Sequence, residues 1–417
     1  MVRRPGAAKA AGCHAPVAWT SSGAMMTPTA HRTARRTQTF TESVIREMTR
    51  VAREYDAVNL AQGFPDFPAP DVLKDAAIEA IRADVNQYAI TWGAPRLRQA
   101  LAAKYSAFYG MEVDPDREVT VTCGATEAMA AVMLAVIDPG DEVIVLEPFY
   151  ENYGPDAILS SAKPVFLRLD APGYRLERAR LEAAITPATK AIILNSPNNP
   201  TGRVFDREEL DAVAALCLQH DLIAITDEIY EHIYYRGEHL PLATFPGMSG
   251  RTVTVSGLSK TFSVTGWRVG TIVAPPDLTD AIRKVHDFLT VGAPAPLQEA
   301  CAAGIERLGR DYYDGLAAEY RERGVVLVDA LRQAGFRCEL PEGAYYVLAD
   351  FSALGDEDDT TFAKRLARDA GVASVPGSSF FGAPGRGSNL IRFAFCKRME
   401  TLHEAGERLV RFATGGP

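Results

Sequence analysis

The chain has 417 residues, 47% of them hydrophobic and 23% charged, an ordinary globular composition long enough for two domains and a large buried core. Its 44 lysines and arginines against 53 acidic residues leave a formal net charge of -9, which gives no overall field for nucleic acid or an anionic membrane surface, so basic clusters read as local ligand sites. No apolar run approaches the roughly 20 residues needed to cross a bilayer, the six cysteines lie far apart without a C-x-x-C pair, as suits reduced thiols in a cytoplasmic protein, and no histidine pair has a metal-ligand spacing.

Residues 1–37 carry Arg3, Arg4, Lys9, Arg32, Arg35 and Arg36, no acidic residue and no sustained apolar period. A disordered leader is expected there. It resembles an organellar transit peptide, and equally a translated region upstream of a start at Met25 or Met26. Ordered chain is expected from about Phe40, as a helix over 40–51 capped by Thr41. The stretch from Asn59 to Pro70 cannot be helical, because prolines recur every two to three residues. Gly63 within it suggests close backbone approach to another group. An amphipathic helix is predicted from Asp71, and a second over 95–109 after the segment holding Tyr88 and Trp92.

Short β-branched runs then alternate with turns and helical patterns, at 119–122, 143–146, 165–169, 191–194, 223–226, 252–255 and 270–273. Near-continuous apolar strands between helices indicate an α/β fold in which a seven-stranded, mainly parallel sheet is covered on both faces, a three-layer α/β/α arrangement. Ligands bind such sheets beyond the carboxyl ends of the strands, so the residues following each run matter most.

The first run leads into Cys123-Gly-Ala125-Thr126-Glu127, small residues before a helix expected over 128–137, whose N-terminal N–H groups suit a phosphate. The second leads to Tyr150, an aromatic placed where a flat ligand can stack. The fourth leads into Asn195-Ser-Pro-Asn198-Asn199-Pro200-Thr201-Gly202, a rigid turn presenting amides. The fifth ends in Asp227-Glu228-Ile229-Tyr230, and a carboxylate at a buried strand end needs a cation or strong donors. The sixth leads through Gly257 and Ser259 to Lys260, with Arg268 eight residues later. A lysine amine in such a Ser/Gly-rich turn can condense with an aldehyde, while hydroxyls, N–H groups and a guanidinium neutralise a phosphoester on the same ligand. Pyridoxal phosphate carries both groups. Each cluster alone also reads as a cap, a rim or a solvated turn, but five at one end of one sheet do not share such an explanation.

From about Cys301 long helices over 311–333 and 360–370 and short strands over 345–350 and 390–395 read as a smaller α+β domain. There Arg392 is a lone charge in an alternating strand, and a buried arginine calls for a carboxylate, from the protein or from a substrate. The expected organisation is a large domain over 71–300 and a smaller one built from 38–70 and 301–417.

Taken in order, Asn-Asn-Pro-Thr-Gly at 198–202, Asp-Glu-Ile-Tyr at 227–230, Ser-Lys-Thr-Phe at 259–262 with Gly-Trp-Arg at 266–268, and Arg-Phe-Ala-Phe-Cys at 392–396 resemble the fold-type I pyridoxal phosphate enzymes of the class I/II aminotransferases, over roughly residues 40–412. Gln-Gly-Phe-Pro-Asp-Phe at 62–67 is similar to the kynurenine/glutamine and methionine aminotransferase branch. The resemblance implies Lys260 as covalent anchor and as the base that moves the α-proton, with Asp227 keeping the pyridine nitrogen protonated. It implies Tyr230 and Asn199 at the ring's phenolic oxygen, Tyr150 stacked on the ring, and Ala125, Thr126, Ser259 and Arg268 around the phosphate. Tyr88 would reach that phosphate from a second subunit, hence a homodimer. Arg392, Asn199 and the Gly63 backbone would hold the substrate α-carboxylate.

Gly257 departs from the family pattern, which often has serine there, so Ser256 or Ser259 is expected to take over the phosphate contact. The implied reaction is ping-pong transfer of an amino group from an L-amino acid to a 2-oxo acid, without a metal. Phe64, Phe67 and Trp92 suggest an apolar or aromatic pocket, the branch resemblance adds glutamine-like and methionine-like side chains to the apolar and aromatic ones, and no second arginine for a dicarboxylate is obvious. The same scaffold suits a cysteine-conjugate β-lyase. A non-catalytic pyridoxal phosphate module of a DNA-binding regulator needs a winged-helix segment, for which residues 1–37 are too short and unpatterned.

Overall fold

The structure, a computed structural model, describes residues 33–415, so the leader up to residue 32, with Cys13, lies outside the described residues. The described residues up to Thr41, 33–41, belong to a unit of their own, in which Arg35–Gln38 make one 3-10 turn. The helix expected from Phe40 begins later, as α1 (Val44–Glu54). Its cap is Ser43 rather than Thr41: Ser43 is the last residue outside helical geometry, and its Oγ accepts from the Arg46 N–H at 3.3 Å. Strand β1 (Val58–Asn59), α2 (Asp71–Arg82) and α3 (Pro95–Tyr109) follow. Proline at the first position of α3 and Gly110 at φ 66° just beyond it set that helix's limits.

The large sheet contains β2 (Val119–Thr122), β3 (Glu142–Glu147), β4 (Lys163–Arg168), β5 (Thr189–Asn195), β6 (Ile223–Asp227), β7 (Thr252–Gly257) and β8 (Gly270–Val273). Their spatial order is β2-β8-β7-β6-β5-β3-β4, parallel except for β8, which runs against both neighbours. Alternation along each strand explains the layers. In β3, Val143 and Val145 face one core with Ala131 and Val132 of α4 (Ala125–Val136), whereas Ile144 and Leu146 face another that holds Leu210 and Val213. Between strands lie α5 (Tyr153–Leu159), α6 (Arg178–Ala184) and α7 (Arg207–His220), and after the sheet α8 (Pro276–Leu289) and α9 (Ala295–Arg307).

Two expectations need correction. Helix α4 starts at Ala125 rather than Ala128, because Gly124 at φ 82° turns the chain sharply out of β2. The regular strand–helix alternation also lapses after β6, where Gly237, Pro241, Pro246 and Gly247 allow only a 3-10 turn over Leu242–Thr244.

The chain continues through α10 (Arg310–Gln333), β9 (Tyr346–Asp350), α11 (Asp359–Arg365), β10 (Val372–Ala373), β11 (Val375–Pro376), β12 (Leu390–Ala394) and α12 (Met399–Thr414). Strands β11, β12 and β9 form a small antiparallel sheet, and β10 pairs with β1. Arg392 sits in the middle of β12 opposite Leu348 and Val375, fully buried.

Candidate active site

Strand β7 ends at Gly257, and Lys260 occupies the turn beyond it. Lys260 Nζ donates to the Gly63 carbonyl at 3.2 Å, between the rings of Tyr230 and Tyr345 at 5.9 and 5.6 Å. Burial, reinforced by Arg268 and Arg392 and opposed by Cys396 and Asp227, brings its pKa down to about 8. A useful fraction of the amine is therefore uncharged near neutral pH. A Cβ added to Gly257 would stand 3.0 Å from the Val269 carbonyl and 3.1 Å from Ile229 Cδ1, so a serine there would be crowded. The Ser256 Oγ is engaged elsewhere, donating to Glu231 Oε1 at 2.8 Å.

Strand β6 delivers Asp227 opposite Asn195 of β5. Asn195 Nδ2 donates to the Asp227 carbonyl at 2.9 Å, and Asn195 Oδ1 accepts from the Asn199 N–H at 2.7 Å. One amide thus fixes the aspartate and the asparagine turn together. Asp227 Oδ2 accepts from the Tyr153 hydroxyl at 2.6 Å and Oδ1 from the Ile229 N–H at 3.2 Å. Burial pushes the Asp227 pKa up, and these two bonds work against it. Tyr230 is also buried, with its hydroxyl 3.0 Å from that of Tyr346. The next turn is tied down by charge: buried Glu231 accepts from Lys104 Nζ at 2.5 Å and from the Tyr109 hydroxyl at 2.7 Å.

Arg392 donates to Asn199 Oδ1 and to the Ala61 carbonyl, both at 2.8 Å, while its Nε has no partner among the described residues. The guanidinium lies 4.2 Å from the ring centre of Tyr346 and 4.9 Å from that of Phe380. Gly63 is close by necessity: an added Cβ would fall 2.0 Å from the Tyr346 hydroxyl oxygen. Buried Lys397 donates to the Phe64 carbonyl at 2.8 Å and the Gln62 carbonyl at 3.3 Å. Four consecutive carbonyls, from Ala61 to Phe64, are therefore held by Arg392, Lys397 and Lys260.

Arg268 comes to the start of α4, since a Cβ on Gly124 would lie 2.0 Å from one of its terminal nitrogens. Gly270 permits the approach, because a side chain there would strike the Gly124–Ala125 backbone at 2.3 to 2.6 Å. The first N–H groups of α4, at Ala125 and Thr126, stand outside the helical ladder beside this cation, an arrangement suited to a phosphate. Tyr150 packs edge-on against Tyr153, with ring centres 5.8 Å apart. Tyr88 is not brought to the site within the chain and is 87% exposed. Phe64 lies under Lys397 and Phe67 under Arg323, but Trp92 stacks against Arg283, which bonds the start of β2, the strand end remote from Cys123. Among the described residues no cluster of metal-ligating side chains occurs.

The sequence profile for aminotransferase class I and II matches residues 55–409. The chain belongs to this family. It is 40% identical over 388 residues to the probable N-succinyldiaminopimelate aminotransferase DapC of Mycobacterium tuberculosis, covering 90% of this chain and 98% of that protein. The methionine aminotransferase of Escherichia coli is 36% identical over 368 residues, covering 88% and 95%. The solved structure of the Mycobacterium tuberculosis N-succinyldiaminopimelate aminotransferase superposes with a TM-score of 0.89 at 39% identity, over 91% of this chain and all of that one.

The aminotransferase uses pyridoxal phosphate, and its residues fit that group. Half-buried Lys260 in the turn after β7 and the buried Asp227 of β6 and Arg392 of β12 each bond neutral partners rather than an opposite charge among the described residues. Such charges are costly unless a ligand supplies their counterparts. Tyr153, Tyr346 and Lys397 were not singled out in the sequence. Their neighbours at the site are distant along the chain, and a tyrosine in an apolar run carries no local mark of function.

Proposed function

We propose that this aminotransferase carries an amino group from an L-amino acid with an uncharged aromatic, glutamine-like or methionine-like side chain to a 2-oxo acid, in a ping-pong cycle. When bound, pyridoxal phosphate supplies an aldehyde that exchanges the amino group and a protonated ring that draws electrons from the α-carbon. Lys260 Nζ would attach the cofactor and, once displaced by substrate, would take the proton from the α-carbon and return it to the former aldehyde carbon, two atoms along. Asp227 keeps the ring nitrogen protonated, and Tyr230 and Asn199 bond its phenolic oxygen. Tyr150 covers the ring. Ala125, Thr126, Ser259 and Arg268 hold the phosphate.

The observation carrying this reading is Arg392, a buried guanidinium that among the described residues bonds only an amide and a carbonyl and has no partner for Nε. A substrate carboxylate completes it, with Asn199 and the Gly63 backbone alongside. The aromatic faces of Tyr346 and Phe380 favour an uncharged side chain next to it. Lys397, the other buried cation nearby, is committed to the 62 and 64 carbonyls and the Phe64 ring. The exposure of Tyr88 at 87% and Phe288 at 94% supports a homodimer in which Tyr88 reaches the partner's phosphate site. A cytoplasmic setting suits the free thiols of Cys123, Cys217, Cys301, Cys338 and Cys396, and no helix among the described residues is long and apolar enough to cross a membrane.

The test mixes cofactor-loaded protein with single amino acids and follows the cofactor's visible absorption together with the released 2-oxo acid. Methionine, glutamine or an aromatic amino acid should discharge the band with one oxo acid per site, and aspartate should act far more slowly. A preference for aspartate, or pyruvate and ammonia from a cysteine conjugate without an acceptor, would contradict the reading.

A further inference from the structure

Tyr346, the first residue of β9, touches three parts of the site at once. Its hydroxyl lies 3.0 Å from the Tyr230 hydroxyl. Its ring faces the Arg392 guanidinium at 4.2 Å. Its oxygen fills the space over Gly63 that a side chain would otherwise take. Tyr346 is 3% exposed, so water competes little for these contacts.

We infer that Tyr346 is a positioning residue for the reaction: its hydroxyl sets how strongly Tyr230 donates, and its ring orients Arg392. The inference rests on the reading above, in which Tyr230 donates to the cofactor's phenolic oxygen. A phenol has one proton to give. When Tyr230 directs its proton at that oxygen, the bond between the two hydroxyls must be donated by Tyr346. A hydroxyl that accepts a bond is polarised into a better donor. Tyr346 thereby helps to hold negative charge on the cofactor oxygen. The nitrogen linking Lys260 to the cofactor then keeps its proton less readily, because less uncompensated charge remains beside it. The ring acts separately. Together with Phe380 at 4.9 Å it packs against the guanidinium, whose terminal nitrogens bond Asn199 and Ala61, and so restrains the way a carboxylate can approach it.

The two roles separate experimentally. Tyr346→Phe removes the hydroxyl and keeps the ring, so the pH midpoint of the bound cofactor's visible absorption should rise by about half to one unit, the size of one hydrogen bond. The KM for the amino donor should stay nearly constant. Tyr346→Leu removes both, and should show the same rise in midpoint together with a KM about tenfold higher. In a Tyr230→Phe background, Tyr346→Phe should move the midpoint no further. A Tyr346→Phe midpoint equal to that of the unmodified protein overturns the inference, as does a full second shift in the Tyr230→Phe background. If Tyr230→Phe alone leaves the midpoint unmoved, the placement of Tyr230 at the cofactor oxygen is what fails, and this inference falls with it.

Discussion

Tyr153 donates its hydroxyl to Asp227 Oδ2 across 2.6 Å, joining the first residue of α5 to the last residue of β6, 74 positions away in sequence. Burial raises the Asp227 pKa, and this bond is the largest effect opposing the rise. Tyr153→Phe should therefore leave a carboxylate that is harder to charge and a weaker partner for the ring nitrogen. Hydrogen bonds to charged groups contribute about 1.5 to 3 kcal/mol, so pyridoxal phosphate should bind at least tenfold more weakly. Titrating cofactor-free protein while following the visible band measures this, and unchanged affinity would mean that the bond does not support Asp227.

Arg392→Leu should reduce kcat/KM for α-carboxylic substrates by the equivalent of about 2 to 5 kcal/mol, with the cofactor band intact. Arg392→Lys should restore little, since an ammonium cannot reproduce the flat guanidinium held between Tyr346 and Phe380. Steady-state kinetics of both variants with one amino donor provide the comparison. A lysine variant with near-normal KM would contradict the stacked geometry.

Gly257→Ser, which places a serine where the sequence departs from the family pattern, should not tighten cofactor binding. Its Cβ would press on the Val269 carbonyl, Ile229 and the Gly270 backbone at 3.0 to 3.2 Å. Overpacking of this kind costs about 1 to 3 kcal/mol, to be read from urea unfolding. A variant of equal stability with tighter cofactor binding would show that the turn has room.

Acid should destabilise the protein through the buried cluster behind Tyr230. His232, packed among the rings of Phe108 and Tyr313, is lowered to about 3 by burial. Burial would raise Glu231, but Lys104, His232 and His239 together bring it to about 2. Between these values and the ordinary ones the unfolded chain binds more protons than the folded one, so stability falls as pH falls. For His232 the loss starts near pH 6.5 and amounts to about 2 kcal/mol by pH 5. For Glu231 it follows as pH drops from 4.5 toward 2. His232→Gln should flatten the stability profile between pH 6.5 and 5 whatever its effect at pH 7, and parallel profiles would rule the cause out.

The apolar runs gave away the large sheet because parallel strands buried on both faces are continuous in hydrophobicity, and β2 and β8 match their predicted limits. Asn195, Asp227 and Lys260 follow from the rule that such sheets place chemistry at strand ends. Partners that arrive from elsewhere in the chain left no such trace. Tyr153 and Tyr346 look like core aromatics, and Lys397 like a surface lysine after a strand. Gly257 was read as a missing donor, whereas the Val269–Gly270 backbone beside it makes the position tight for any side chain. Helix starts were also misjudged by three or four residues, because a glycine turn at 124 and a serine at 43 decide them locally.

The central claim is that Lys260 is the covalent anchor of the cofactor. Cofactor-loaded protein can be reduced with borohydride, digested and mapped by mass spectrometry. The account predicts one pyridoxyl-phosphate adduct per chain, on Lys260, absent from Lys260→Ala protein. An adduct on Lys104 or Lys397 at comparable yield, or an undiminished visible band in the Lys260→Ala variant, would contradict it.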